Sequence, residues 1–251
     1  MAIKLGISGF GRIARVVIRA AMDMDDIEIS GINVRNADID YLLYMLKYDT
    51  TFGRFPKPLD RYEKGLIING KKVPVYSESE AINIPWSECG AEYIVEATGA
   101  YTTTEKANDH IKAGAKKVII SAPAKGDLKT IVYNVNHKTL DGSEEIISAA
   151  SCTTNCLAPV LDVIERNIGV EKGFMTTVHA YTNDQVTLDI AHKKGILARR
   201  GRACAQNIIP ASTGAASAIG EVISLPHAVN DKVKTINKIY RQWNIFTSII
   251  H

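Results

Sequence analysis

The chain has 251 residues, 46% of them apolar and 23% charged, the profile of a soluble globular protein with one large domain or two ordinary ones. Its formal net charge is +3, and the excess falls in residues 224–251, where Lys232, Lys234, Lys238 and Arg241 face Asp231 alone. The remainder is neutral overall, so no global field for nucleic acid is implied. No apolar run reaches a membrane span, and Ile3 to Ile7 is too short for a signal-peptide core. Four cysteines (Cys89, Cys152, Cys156 and Cys204) form no disulfide framework, which places the chain in a reducing cytoplasm.

Ile3 to Ser8 reads as a short buried strand. Gly9-Phe10-Gly11-Arg12-Ile13-Ala14 follows as G-x-G-x-x-A, then a helix through Ala21 and a strand from Ile27 to Asn33. A strand, a glycine-rich turn, a helix and a strand in that order are the context of a dinucleotide site. Gly9 allows the tight turn, Gly11 lets a pyrophosphate approach the backbone, and Ala14 permits close helix packing. The helix N-terminus offers N–H groups to the phosphates. Such sites usually carry an acid near the end of the second strand, bonded to the ribose 2′-hydroxyl. Here that region is Asn33-Val34-Arg35-Asn36, so NADP is expected alongside NAD, with Arg35 pairing a 2′-phosphate.

The α/β alternation continues. Asp38 to Tyr48 is predicted helical, and Leu66 to Tyr76 a hairpin turning at Asn69-Gly70. Tyr93 to Ala97 is a strand ending at Thr98-Gly99, Thr103 to Ala113 a helix closed by Gly114, and Val118 to Ser121 a further strand. Ligands of open α/β sheets bind beyond strand carboxyl ends, so Thr98, Gly99 and Ser121 are cofactor-contact candidates, with ordinary turn chemistry as the plain alternative.

Ile146 to Ala150 reads as a buried strand end, and Leu157, Val160, Leu161 and Ile164 as the apolar stripe of a helix reaching Arg166. Ser151 is its predicted N-cap. Cys152 then sits at the positive end of the helix dipole, where the nucleophilic thiolate is favoured. A lone cysteine is otherwise a small buried apolar residue. Phe174 to Thr182 is predicted as a strand with His179 late in it, a candidate general base for Cys152. The polar segment Asn183 to Arg202 is a solvated loop with basic groups suited to phosphate, and Ser212-Thr213-Gly214 is placed to cap an Ala-rich helix and present donors to an anion.

These motifs together resemble the glyceraldehyde-3-phosphate dehydrogenase family. The resemblance rests on Gly9-Phe10-Gly11-Arg12-Ile13, Lys47-Tyr48-Asp49, Glu96-Ala97-Thr98-Gly99, Ser121-Ala122-Pro123, Asn134-Val135-Asn136-His137, Ser151 to Cys156, Thr177-Val178-His179, and Asn207 to Ala215. It implies an α/β fold: a Rossmann-type NAD(P)-binding domain over 1–151 and an incomplete α+β catalytic domain over 152–223, with 224–251 a divergent tail. It further implies a homotetrameric glycolytic enzyme that oxidises glyceraldehyde 3-phosphate with inorganic phosphate through a Cys152 thioester. His179 would be its base, and no metal is implied. Arg12, Ile13 and Ser121 match cofactor positions. Thr182 and Arg200 match contacts to the substrate phosphate, and Ser151, Thr153, Thr213 and Gly214 match contacts to inorganic phosphate. The family's ribose acid falls at Val34, so that contact is lost. A non-catalytic NAD-binding protein and a dehydrogenase of erythrose 4-phosphate remain the alternatives.

After Ile223 the family's next motifs, Pro-Glu-Leu and a later Arg-Val-Pro, are missing, and the chain runs Ser224-Leu225-Pro226-His227. Impaired catalysis is therefore expected, with the tail either a frameshift product or a genuine alternative terminus. Val229, Val233, Ile236, Tyr240 and Trp243 have helical spacing within it.

Overall fold

The computed structural model describes residues 2–171, 173, 175–192, 195–211 and 213–223. The tail helix expected over Val229 to Trp243 lies outside them, as do Phe174, Lys193, Lys194 and Ser212. The chain divides into two compact units, Met1–Ile131 with His137–Ser151, and Val132–Asn136 with Cys152–His251.

In the first unit the elements run β1 (Ile3–Ser8), α1 (Arg12–Ala21), β2 (Ile27–Asn33), α2 (Ile39–Lys47), β3 (Tyr48–Asp49), β4 (Gly53–Arg54), β5 (Leu59–Tyr62), β6 (Gly65–Ile68) and β7 (Lys71–Tyr76). They continue with α3 (Trp86–Cys89), β8 (Tyr93–Glu96), α4 (Thr104–Lys112), β9 (Lys117–Ile120), β10 (Lys129–Thr130) and β11 (Ile146–Ser148). Nine strands form one sheet in the order β10-β11-β9-β8-β1-β2-β7-β6-β5. Pairing is parallel from β10 to β7, and β7-β6-β5 is antiparallel.

The local chemistry accounts for these elements. Asn69 and Gly70 both take positive φ (50° and 80°), the geometry a tight hairpin between β6 and β7 needs. Asp38 caps α2 by accepting the Tyr41 N–H at 3.1 Å, and Thr103 caps α4 by accepting that of Lys106 at 3.3 Å. One apolar cluster gathers Leu5, Ile7, Ala14, Ile18, Ile32, Leu42, Leu46 and Leu66, and a second gathers Trp86, Ile94, Ala107, Val118, Ile120 and Ile146. Because β1 is followed by β2 on one side and only later by β8 on the other, the strand order reverses between β1 and β8. That switch opens a crevice at the strands' carboxyl ends.

Asp49 ties α1 to this framework. Its Oδ1 accepts the N–H groups of Thr51 and Phe52, both at 2.9 Å, and its Oδ2 pairs with Arg12. Burial by itself would raise this carboxyl, but the two amides and the guanidinium outweigh it and hold it below the usual carboxylate range. A depressed carboxylate contributes stability above its unfolded value and loses it as pH falls through the folded one. Asp49→Asn is therefore expected to lower denaturant stability at neutral pH by about 1 kcal/mol, a modest figure because Arg12 is partly solvated, and to cost nothing in strong acid. Equal destabilisation at both pH values would remove the ion pair as the cause.

In the second unit the described residues form α5 (Cys152–Asn167), a single 3-10 turn at Arg199–Gly201 and α6 (Ala215–Val222). Two expectations need correction here. The strand predicted around His179 is not formed over residues 175–182, because every strand among the described residues lies in the first unit and a strand needs a neighbour to bond. The predicted stripe on α5 is also turned. Thr154 and Ala158 are its buried residues, whereas Val160 is 58% and Ile164 40% exposed.

Candidate functional site

In the first unit the candidate residues converge on the carboxyl ends of four adjacent strands. Ser8 of β1 is in register with Glu96 of β8, so the glycine turn and the Ala97–Gly99 turn lie side by side. Gly9 has φ 97°, and a Cβ there would meet the carbonyl carbon and oxygen of Ala97 at 3.0 Å and Thr98 Cγ2 at 3.1 Å. Gly11 differs: it has ordinary extended torsions as N-cap of α1, and a Cβ would meet nothing within 4 Å. Among the described residues the N–H groups of Arg12, Ile13 and Ala14 have no acceptor within the chain. Free helix-start donors beside a glycine that leaves room are what a pyrophosphate requires, so these residues fit a dinucleotide.

Arg12 divides its role, since its guanidinium pairs with Asp49 and lies 5.1 Å from the Phe52 ring centroid. Ile13 is 45% exposed at the same helix start, an apolar surface beside the turn. Thr98 and Gly99 are exposed at the end of β8, and the Ser121 N–H donates to the Glu96 carbonyl at 3.0 Å at the end of β9. At the end of β2, Arg35 is exposed and makes no hydrogen bond or ion pair among the described residues. Asn33 is buried and does not face a ligand. Its amide donates to the Glu78 carbonyl at 3.1 Å and accepts the Glu78 N–H at 2.9 Å, pinning the β2 end to the segment after β7.

In the second unit the chemistry is a thiol–imidazole pair. Cys152 is the first residue of α5, directly after Ser151 in the predicted N-cap position. Its sulfur lies 3.2 Å from His179 Nε2, and both side chains are exposed. His179 Nδ1 is 2.6 Å from the Ala180 carbonyl oxygen. A carbonyl only accepts, so Nδ1 carries the hydrogen and Nε2 is left as the acceptor facing the thiol. The chain enters α5 through Ala150, whose φ of 61° is unusual for a residue with a side chain; its N–H donates to Ser148 Oγ at 3.1 Å. Cys156 is also exposed and unbridged, and among the described residues no imidazole hydrogen-bonds it.

The phosphate candidates are placed less closely. Thr153 is in the first turn of α5, and Thr182 is exposed beyond His179. Arg200 is ion-paired with Asp184, a partner that no local pattern signals. With five N–H donors its guanidinium keeps others for an anion, and it lines a pocket of about 460 Å³ with Arg199, His192, Leu197 and Pro210. Gly214 is the N-cap of α6, and Thr213 Oγ1 accepts the Ala215 N–H at 3.2 Å. Among the described residues no hydrogen bond joins Thr182, Arg200, Thr213 or Gly214 to the Cys152–His179 pair.

Both parts of the chain match known proteins. Residues 3–104 match the family described as glyceraldehyde 3-phosphate dehydrogenase, NAD binding domain, and residues 151–239 match its C-terminal domain, a match that runs past Ile223. Glyceraldehyde-3-phosphate dehydrogenase of Clostridium pasteurianum is 52% identical over 220 residues, covering 88% of this chain and 65% of that protein. The enzyme of the same name from Neurospora crassa is 54% identical over 223 residues, covering 89% of this chain and 65% of its own length. The chain thus spans about 65% of the length of the curated relatives it matches. It carries the Rossmann NAD-binding domain and sequence of the catalytic domain, and it belongs to the glyceraldehyde-3-phosphate dehydrogenase family.

Proposed function

We propose that this chain catalyses the phosphorylating oxidation of glyceraldehyde 3-phosphate to 1,3-bisphosphoglycerate. The observation that carries the reading is the 3.2 Å approach of Cys152 Sγ to a His179 Nε2 whose other nitrogen is tied to a carbonyl. The Cys152 thiol gives its proton to Nε2, its sulfur attacks the aldehyde carbon, and the resulting alkoxide takes that proton back from Nε2 to give a thiohemiacetal. His179 then takes the proton of the hemiacetal hydroxyl as the carbon loses hydride, leaving a thioester on Cys152. NAD bound at the Gly9–Gly11 turn supplies the hydride acceptor. An oxygen of inorganic phosphate attacks the thioester carbonyl, the C–S bond breaks, and Cys152 is released with the acyl phosphate as product. Thr182 and Arg200 hold the substrate phosphate, and Ser151, Thr153, Thr213 and Gly214 the attacking phosphate.

Supplying the whole chain with glyceraldehyde 3-phosphate, inorganic phosphate and NAD should yield NADH and acyl phosphate in equal amounts, and no turnover without phosphate. Binding of NAD with no NADH formed would instead favour a non-catalytic NAD-binding protein, and faster oxidation of erythrose 4-phosphate would reassign the substrate. We also propose that the enzyme accepts NADP, because Arg35 is exposed and has no partner among the described residues where an acid would repel a 2′-phosphate. Arg35→Ala should weaken NADP binding roughly tenfold and leave NAD binding unchanged. A strong preference of the unmodified chain for NAD would refute that role. Cytoplasmic location and assembly into a homotetramer belong to the same proposal. Among the described residues no helix is long and apolar enough to cross a membrane.

A further inference from the structure

Beneath the Thr98–Gly99 turn lies a buried chain of hydrogen bonds that the proposed chemistry does not use. Trp86, Glu96 and His110 are each at most 1% exposed. The Trp86 indole N–H donates to His110 Nδ1 at 3.2 Å, and His110 Nε2 is 3.0 Å from Glu96 Oε2. The other carboxylate oxygen, Oε1, accepts the Thr98 N–H at 2.7 Å and also the Thr98 hydroxyl. Thr98 Oγ1 in turn accepts the Ala100 N–H at 3.1 Å.

The donors fix one arrangement of protons. An indole N–H cannot accept, so His110 Nδ1 must be the bare nitrogen. A neutral imidazole then carries its hydrogen on Nε2 and donates it to Glu96. Every bond therefore points the same way, from Trp86 through His110 to Glu96, and the carboxylate is left to receive Thr98 from the far side. Thr98 Cγ2 is also one of the atoms nearest to a Cβ built at Gly9. The chain of bonds thus ends on the residue that abuts the glycine turn.

We infer that Trp86, His110 and Glu96 form a tautomer-locked positioning relay that holds the Thr98–Gly99 turn against Gly9 for dinucleotide binding. This rests on the NAD reading above. None of the three touches the cofactor; each acts through Thr98, so they are positioning residues. The relay has a signature that packing by itself lacks. In Glu96→Gln, an amide that keeps its oxygen toward Thr98 turns its NH2 toward the His110 N–H. Moving the imidazole proton to Nδ1 would relieve that clash only by facing the Trp86 N–H with another donor. Removing the indole N–H frees the imidazole to change tautomer.

The test measures NAD dissociation constants for the unmodified chain, Glu96→Gln, Trp86→Phe and the double variant. Glu96→Gln should bind NAD about tenfold more weakly. Adding Trp86→Phe to it should recover much of that loss, although Trp86→Phe alone brings no gain. Glu96→Gln with unchanged affinity, or a double variant as weak as the sum of the two, would overturn the relay. Nitrogen-15 spectra of the unmodified chain give a second readout that does not depend on a variant folding or on NAD. They should show His110 neutral with its hydrogen on Nε2, and a hydrogen on Nδ1 would overturn the proposal. If the unmodified chain does not bind NAD, the cofactor reading fails and the spectra still decide the relay.

Discussion

Cys152 is expected to be carboxymethylated by iodoacetate at neutral pH far faster than Cys156, and His179→Ala should slow that reaction roughly ten- to a hundredfold. The two thiols make a controlled comparison. Both are exposed and both belong to α5, one helical turn apart, so reagent access and gross fold are shared. They differ in that Cys152 opens the helix and has His179 Nε2 at 3.2 Å. The imidazole provides a home for the thiol proton as the sulfur attacks. Mass spectrometry of the alkylated peptides reads both rates in one sample. Equal labelling of the two cysteines would sink the proposal that Cys152 is an activated nucleophile. Cys152→Ser should also abolish NADH formation, because an alcohol beside one histidine is a much weaker nucleophile than a thiol.

The second large effect separates two glycines that the motif treats alike. Gly9→Ala should destabilise the fold by about 2–4 kcal/mol, since it combines a left-handed torsion with a 3.0 Å clash against main-chain atoms of Ala97 that cannot swing away. Gly11→Ala should cost less than about 1 kcal/mol, because its torsions suit any residue and its Cβ has open space. Its penalty falls on the ligand: a methyl there occupies the approach of the pyrophosphate, so NAD affinity should drop about tenfold or more. Thermal unfolding and NAD titration of both variants check the contrast. A strongly destabilised Gly11→Ala, or one that binds NAD normally, would count against the assigned roles.

The first unit was legible in the sequence because its signals are local. The glycine turn, the Asn69-Gly70 turn and Gly114 just after α4 each specify backbone geometry within a few residues, and the structure follows them closely. The edge strand β5 carries no such signal, its Leu59-Asp60-Arg61-Tyr62 having too little apolar content to suggest a strand. Glu96 stands in the Glu96-Ala97-Thr98-Gly99 motif, but the reason for a carboxylate at the end of a buried strand emerges only when Trp86 and His110 come from distant positions to meet it. In the second unit, the residues around His179 have strand-like composition but no ladder to join among the described residues, which no local pattern reveals. The Arg200–Asp184 pair likewise follows from how a loop returns on itself.

The acceptor that orients His179 is the carbonyl of the next residue in its own chain. In many thiol and hydroxyl catalysts that duty falls to a carboxylate or amide side chain, which a single substitution removes. Here no codon change can delete the oxygen, because every amino acid carries it. The imidazole's tautomer is therefore insulated from mutation at neighbouring side chains and exposed instead to anything that rotates the peptide between residues 180 and 181. Loss of activity by substitution near this pair should track changes in backbone conformation rather than in side-chain polarity.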